Sequence, residues 1–273
     1  MRILTGEDVR RAVAMPAAVD AVAAAFAQIA TGEAVVPLRV PIEQERHSSH
    51  TFFMPALLSA SGGLGLKVVS VYPHNAERHG LPSIHALVVL IDAETGRPAA
   101  ALDGTYLTGL RTGAASGAAT RALAREDARV LALFGAGAMA PHQVAAVCAV
   151  RPIERVLIVN RTRERALRLA ESLRAGGLSA EVRVVDSPAA ALREADVVCC
   201  ATSTHTPLFD DADVRPGTHI NGVGSFTPRM VEVPPETVGR ARVFVDQRHA
   251  AWAESGERSE ERRVGKECRS RWS

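Results

Sequence analysis

Lysine is nearly missing from this chain. Of 273 residues only Lys67 and Lys266 carry an ammonium group, and arginine supplies the rest of the 32 Lys and Arg. No apolar run approaches the roughly 18 residues that would suggest a membrane-spanning helix, so a chain with 47% hydrophobic content reads as soluble and globular, with no membrane partner. No basic stretch followed by an apolar core opens the sequence, and no secretory signal is expected. Paired cysteine spacings are absent too. Cys148, Cys199, Cys200 and Cys268 are irregularly placed, which fits a reduced, cytoplasmic compartment. The nine His show no ligand-like spacing, so no metal site is expected. There is no internal repeat and no long linker.

The last residues differ from everything before them. Residues 258–273 have no apolar period and resemble the translation of a sequencing-library adapter. The natural frame is expected to stop near Glu257, with 258–273 a non-native tail. That tail holds six basic and three acidic residues; without it 26 basic residues face 27 acidic ones, a net charge of −1. The apparent basicity (pI about 8.5) therefore predicts no nucleic-acid partner. Lys67 is then the only lysine left beside 25 arginines. Arginine keeps its proton at working pH, whereas a partly buried lysine can be tuned to release it.

Two rhythms divide the chain. Residues 17–30 read as a helix ended near Gly32. β-like runs follow at Ala34–Val40, Thr51–Leu57, Leu66–Val71 and His85–Ile91. Asp92 to Gly96 is a turn signal, after which Pro98–Leu102 can return as a hairpin. This predicts an α+β domain with a mostly antiparallel sheet over residues 1–115. From about Thr108 to Ala124 the pattern is helical and rich in small residues, which permits close helix packing. Beyond Ala128 strands and helices alternate. Strands are expected at Val130–Phe134, Arg155–Val159, Ala180–Val185, Asp196–Ala201, His219–Val223 and Arg242–Val245, with helices at Pro141–Val150, Arg163–Ala175 and Pro188–Glu194. The fold class is α/β: a doubly wound Rossmann domain over 116–257, with its ligand at the carboxyl ends of the strands, preceded by the α+β domain.

The nucleotide signal is Val130-Leu-Ala-Leu-Phe-Gly135-Ala136-Gly137-Ala138-Met139-Ala140. A strand feeds a Gly-Ala-Gly turn and a helix follows, which is the arrangement that cradles a pyrophosphate on backbone N–H groups and a helix dipole. A lone match of this kind is weak, and here Ala140 replaces the third glycine; the flanking elements strengthen it. An NAD site usually carries Asp or Glu at the end of the second strand to hold the ribose 2′-OH. Asn160 stands there, 25 residues after Gly135, followed by Arg161, Thr162 and Arg163. A neutral side chain with guanidinium groups suits a 2′-phosphate and favours NADPH over NADH, although Arg163 can equally be a solvated helix-start residue, a reading that applies less to Arg161. Thr202 and Ser203, at the end of the fourth strand, are small enough to line a dinucleotide. Lys67 lies in the apolar run Gly63-Leu-Gly-Leu-Lys67-Val-Val, where a charge is costly without a function. Arg111 and Thr112 open a small-residue helical run.

Taken in order, Arg39, Met54-Pro55, Gly65-Leu-Lys67, Arg111-Thr112-Gly-Ala-Ala, Gly135-Ala-Gly and Gly222-Val223-Gly-Ser225-Phe226-Thr-Pro-Arg-Met-Val-Glu232 resemble the ornithine cyclodeaminase/mu-crystallin family across nearly all of residues 1–257. The resemblance implies a homodimer with a substrate-binding and dimerisation domain and a Rossmann domain. It implies that Arg39 and Arg111 clamp a substrate carboxylate and that Lys67 relays a proton. Thr112 and Gly135–Ala138 would hold cofactor phosphates, with Met139, Val223 and Ser225 lining the cofactor. Where cyclodeaminases carry an activating Asp, this chain has Phe226, which cannot accept a proton and serves as an apolar wall. The Gly-Ser-Phe-Thr-Pro form resembles the pyrroline-2-carboxylate (cyclic ketimine) reductases. Reduction of a cyclic imino acid to an L-amino acid such as proline is thus expected, with Lys67 and Arg111 catalytic. Ornithine cyclodeamination, alanine dehydrogenation, an NADPH-dependent binding role and an inactive truncated fragment are the alternatives. Family members continue past the last recognisable residues here, so the helices that close the first domain are expected to be missing.

Overall fold

The structure, a computed structural model, describes residues 1–248 and 250–251. The end of the native frame expected near Glu257 and the expected tail at 258–273 lie outside them. The chain divides into two compact units, Met1–Arg111 and a second from Thr112 onward.

The first unit runs β1 (Arg2–Leu4), α1 (Gly6–Ala12), α2 (Met15–Thr31), β2 (Ala34–Val35), β3 (Val40–Gln44), β4 (Ser49–Leu58), β5 (Gly63–Val71), α3 (Asn75–His79), β6 (Ile84–Asp92) and β7 (Pro98–Asp103), and ends within α4 (Gly104–Leu123). A capping box starts α1: Thr5 Oγ1 accepts the Asp8 N–H while the Asp8 carboxylate accepts the Thr5 N–H. The sheet order is β1-β7-β6-β5-β4-β2, with β3 also on β4. Only the β1–β7 pair is parallel. The expected hairpin forms between β6 and β7, its turn held by Asp92 Oδ1 accepting the N–H groups of Glu94 and Thr95. The run expected at Ala34–Val40 is interrupted, and only Ala34–Val35 pairs with β4 before β3 begins at Val40. Pro37, which has no N–H to give a ladder, falls in the break.

In the second unit β8 (Val130–Phe134), α5 (Ala140–Val150), β9 (Arg155–Val159), α6 (Arg163–Ala175), β10 (Glu181–Val184), α7 (Pro188–Glu194), β11 (Val197–Cys200), β12 (His219–Gly222) and α8 (Pro235–Arg240) follow one another. The five strands are parallel in the order β10-β9-β8-β11-β12. Every residue of β8 and β11 is buried, as expected for strands covered on both faces. On α6 the apolar spacing buries Ala166, Leu169 and Ala170 and leaves the arginines outside. Burial of side chains such as Leu131, Leu133 and Val156, all at 0% exposure, stabilises this layer by about 1.5–3 kcal/mol each.

Arg242–Val245, expected as a sixth strand, is not one. The sheet ends at β12, and the segment forms no ladder with it. Its alternation of apolar and polar residues has no partner strand to satisfy. Instead the Arg242 guanidinium lies over the ring of Phe244, 5.4 Å from its centre.

Candidate active site and dinucleotide cradle

In the first unit Lys67 and Arg39 gather on one face of the sheet. Side chains alternate along a strand, so ladder partners share a face. Lys67 on β5 stands opposite Met54 on β4 and Val88 on β6; two residues along, Val69 stands opposite Phe52 and Ala86. Phe52 in turn pairs with Pro41 on β3. Arg39, two residues before Pro41, places its guanidinium 4.6 Å from the centre of the Phe52 ring. Arg39 is half-buried and Arg111, on α4, is exposed.

Electrostatics link the three cations. Burial first, then the positive charges of Arg111 and Arg39, push the half-buried Lys67 ammonium down from 10.5 to about 7. Such an amine exchanges its proton near neutral pH, while the arginines stay charged. A planar carboxylate placed among them would meet fixed positive charge and a group able to give or take a proton.

The second unit supplies a cradle. Gly135 has φ of +103°, and a Cβ there would stand 2.6 Å from the Ala201 carbonyl oxygen. Only glycine turns the chain this sharply at that distance. Its N–H donates to the Val159 carbonyl at 2.9 Å, tying the loop to the end of β9. Gly137 faces the other way: a Cβ there would meet nothing within 4 Å, and Gly137 and Ala138 are exposed. The loop thus closes against protein at Gly135 and opens at Gly137, just before Met139 caps α5. This fits a phosphate resting on backbone N–H groups at a helix start.

The remaining candidates of this unit lie just past the ends of neighbouring strands. Asn160, Arg161 and Thr162 follow β9, Thr202 and Ser203 follow β11, and Val223, Ser225 and Phe226 follow β12. Thr112 sits one residue beyond Arg111 on α4. Asn160 does something the sequence does not announce. Its Oδ1 accepts the Ala136 N–H at 3.0 Å and its Nδ2 donates to the Thr162 carbonyl at 2.8 Å, so it braces the glycine loop. Arg163 pairs with Asp186. Arg161 is exposed and forms no ion pair among the described residues. Sequence reasoning missed Glu232 as a structural centre of this region. The signal was a lone carboxylate in the run Met230-Val-Glu-Val233, and that carboxylate is fully buried. Among the described residues no group of three or more His, Cys, Asp or Glu could hold a metal, and no single helix is long and apolar enough to cross a membrane.

A doubly wound sheet with a glycine-turn cradle in one unit, and in the other a lysine tuned by two arginines, define a protein of the dinucleotide-binding class. Comparison with known proteins narrows this. Residues 1–267 match the model of the ornithine cyclodeaminase/mu-crystallin family, and the chain belongs to that family. It is 35% identical over 258 residues to a Delta(1)-pyrroline-2-carboxylate reductase of Bacillus cereus, covering 94% of this chain and 78% of the relative. Among solved structures it resembles Thermococcus litoralis Delta(1)-pyrroline-2-carboxylate reductase in complex with NADH and L-proline, with a TM-score of 0.93 and 37% identity, covering 97% of this chain and 81% of that one. It also resembles an archaeal alanine dehydrogenase dimer with bound NAD, with a TM-score of 0.89 and 33% identity, covering 97% and 80%.

Proposed function

We propose that this protein is a nicotinamide-dependent reductase of a cyclic ketimine carboxylate of the pyrroline-2-carboxylate type, producing an L-amino acid such as proline. The observation that carries the reading is the cluster of Lys67, Arg39 and Arg111, in which the lysine is held near neutrality. Arg39 and Arg111 bind and orient the substrate carboxylate; the Arg39 guanidinium is itself steadied on the Phe52 ring. Lys67 delivers a proton to the imine nitrogen as the C=N bond is reduced. The bound nicotinamide dinucleotide supplies the hydride. Phe226 contributes an apolar wall and, having no acid function, disfavours the amine activation that cyclodeamination needs. Similarity to the pyrroline-2-carboxylate reductases supports the same choice.

The first unit is then the substrate-binding and dimerisation domain and the second the cofactor domain, where Thr112, Gly135–Met139, Asn160–Thr162, Thr202, Ser203, Val223 and Ser225 hold the dinucleotide. For NADPH over NADH the supporting features are Asn160 in place of a carboxylate and the exposed Arg161 beside it. A homodimer is supported by β3, exposed along its length with Val40 and Ile42 on it, and by the dimeric alanine dehydrogenase to which the chain is similar. The deciding experiment assays pyrroline-2-carboxylate, piperideine-2-carboxylate, pyruvate with ammonia, and ornithine, with NADPH and NADH. Cyclic imine reduction is expected to dominate. Ammonia release from ornithine without consumption of reductant, or preferential turnover of pyruvate with ammonia, would replace this reading with the cyclodeaminase or the alanine dehydrogenase.

A further inference from the structure

Glu232 is fully buried, and both of its carboxylate oxygens are used. Oε1 accepts the Thr202 N–H at 2.6 Å and the Thr202 hydroxyl at 2.7 Å; Oε2 accepts the Gly224 N–H at 2.7 Å. Thr202 lies just past β11 and Gly224 just past β12, so one anion ties together the loops leaving two adjacent strands. The segment carrying it is fixed as well: the Val231 N–H donates to the Thr204 carbonyl and the Leu208 N–H to that of Glu232, at 3.2 and 2.9 Å. Gly224 has no room for a side chain, since a Cβ would fall 2.1 Å from the Thr202 carbonyl oxygen and 2.5 Å from Glu232 Oε1. A buried carboxylate is costly unless its oxygens are hydrogen-bonded. Here three donors converge on it, and they all come from the loops at one end of the sheet.

The position of that clamp gives it a role. In a parallel sheet of this order the dinucleotide lies across the carboxyl ends of the strands, its two halves on either side of the crevice where the order reverses. That reversal falls between β8 and β11. The β9 side carries Asn160 and Arg161 and takes the adenosine half, which leaves β11 and β12 to the nicotinamide half. Resting on the cofactor reading above, we propose that Glu232 is a positioning residue for the nicotinamide half: it sets the spacing of the loops after β11 and β12, and with it the place from which Ser225 and Phe226 start.

Full-length wild type, Glu232→Gln and Glu232→Asp are titrated with NADH and with ADP, which carries adenosine and phosphates but no nicotinamide. Glutamine turns one acceptor into a donor facing N–H groups. NADH affinity is expected to fall about tenfold, and ADP affinity less than twofold. Aspartate keeps the charge but draws it back, and gives a smaller loss with the same bias. Should the glutamine variant fail to fold, the aspartate variant carries the comparison. Equal losses for both ligands, which a general loosening of the domain would give, or no loss for either, overturn the assignment. A wild type that binds none of NADH, NADPH and ADP overturns the cofactor reading and this inference together; a wild type that binds NADH and ADP, with variants showing no bias, removes only Glu232.

Discussion

Replacing Lys67 with methionine separates what this side chain costs the fold from what it does for the chemistry. In the folded protein its ammonium titrates at about 7 instead of 10.5, because of burial and the nearby charges of Arg111 and Arg39. Between those values the unfolded chain binds a proton that the folded chain has released. Stability therefore rises with pH across that window, and is lost as pH falls through about 7. Each pH unit within the window is worth at most about 1.4 kcal/mol, so the change from pH 6 to pH 9 reaches up to about 2.7 kcal/mol. Lys67 keeps some solvent contact, which reduces the figure to roughly 2 kcal/mol. Methionine matches the length and flexibility of the lysine stem and has nothing to titrate. The stability advantage of the variant over wild type is expected to be larger at pH 6 than at pH 9 by about that amount, the gap narrowing further up to the free-lysine value of 10.5. Urea denaturation at the two pH values measures it. The same variant loses imine reduction by at least about a hundredfold. In wild type, kcat/KM falls as pH rises through about 7, where the amine no longer has a proton to deliver. A stability gap independent of pH, or a near-normal kcat, refutes the account of Lys67.

Other perturbations probe the cradle and the thiols. Gly135→Ala puts a methyl group at φ +103° and 2.6 Å from the Ala201 carbonyl oxygen; a loss of about 2–3 kcal/mol in urea denaturation and of NADH binding is expected, and wild-type values for both would show that the turn is not required. Arg161→Ala is expected to raise the KM for NADPH about tenfold and that for NADH less than twofold, and equal effects would remove Arg161 from 2′-phosphate recognition. Burial pushes the Cys148 thiol up to about 11 and the Cys199 thiol up to about 12. Peptide mapping should find both alkylated at pH 8 at least about tenfold more slowly in the folded protein than in urea, and comparable rates would contradict their burial.

The legible parts of this fold are those with a strong period. Strands β8 and β9 and helices α6 and α7 fall where the pattern places them, because buried parallel strands and amphipathic helices leave continuous signals. Short elements escaped: β1, α1, α3 and α8 have too few residues to show a period. Arg242–Val245 misled for the opposite reason, since it shows alternation but has no strand beside it. At the site, residue types such as Lys67 or the paired glycines are visible in the sequence because each is chemically unusual where it stands. The brace made by Asn160 and the clamp made by Glu232 are not, because each depends on partners 24 to 30 residues away that only folding brings near.

The double use of Asn160 bears on how coenzyme choice in this chain can drift or be redesigned. An aspartate at that position, the ordinary route to reading an unphosphorylated ribose, would still accept the Ala136 N–H. Toward Thr162, however, it would present a second acceptor to a carbonyl that now receives a donor. The glycine turn would lose one of its ties in the same step that altered the ribose contact, so affinity for either coenzyme would fall before preference changed. Selection for a new coenzyme meets less resistance at Arg161, exposed and outside the brace. That neighbour is where the first mutations of a switch would be tolerated.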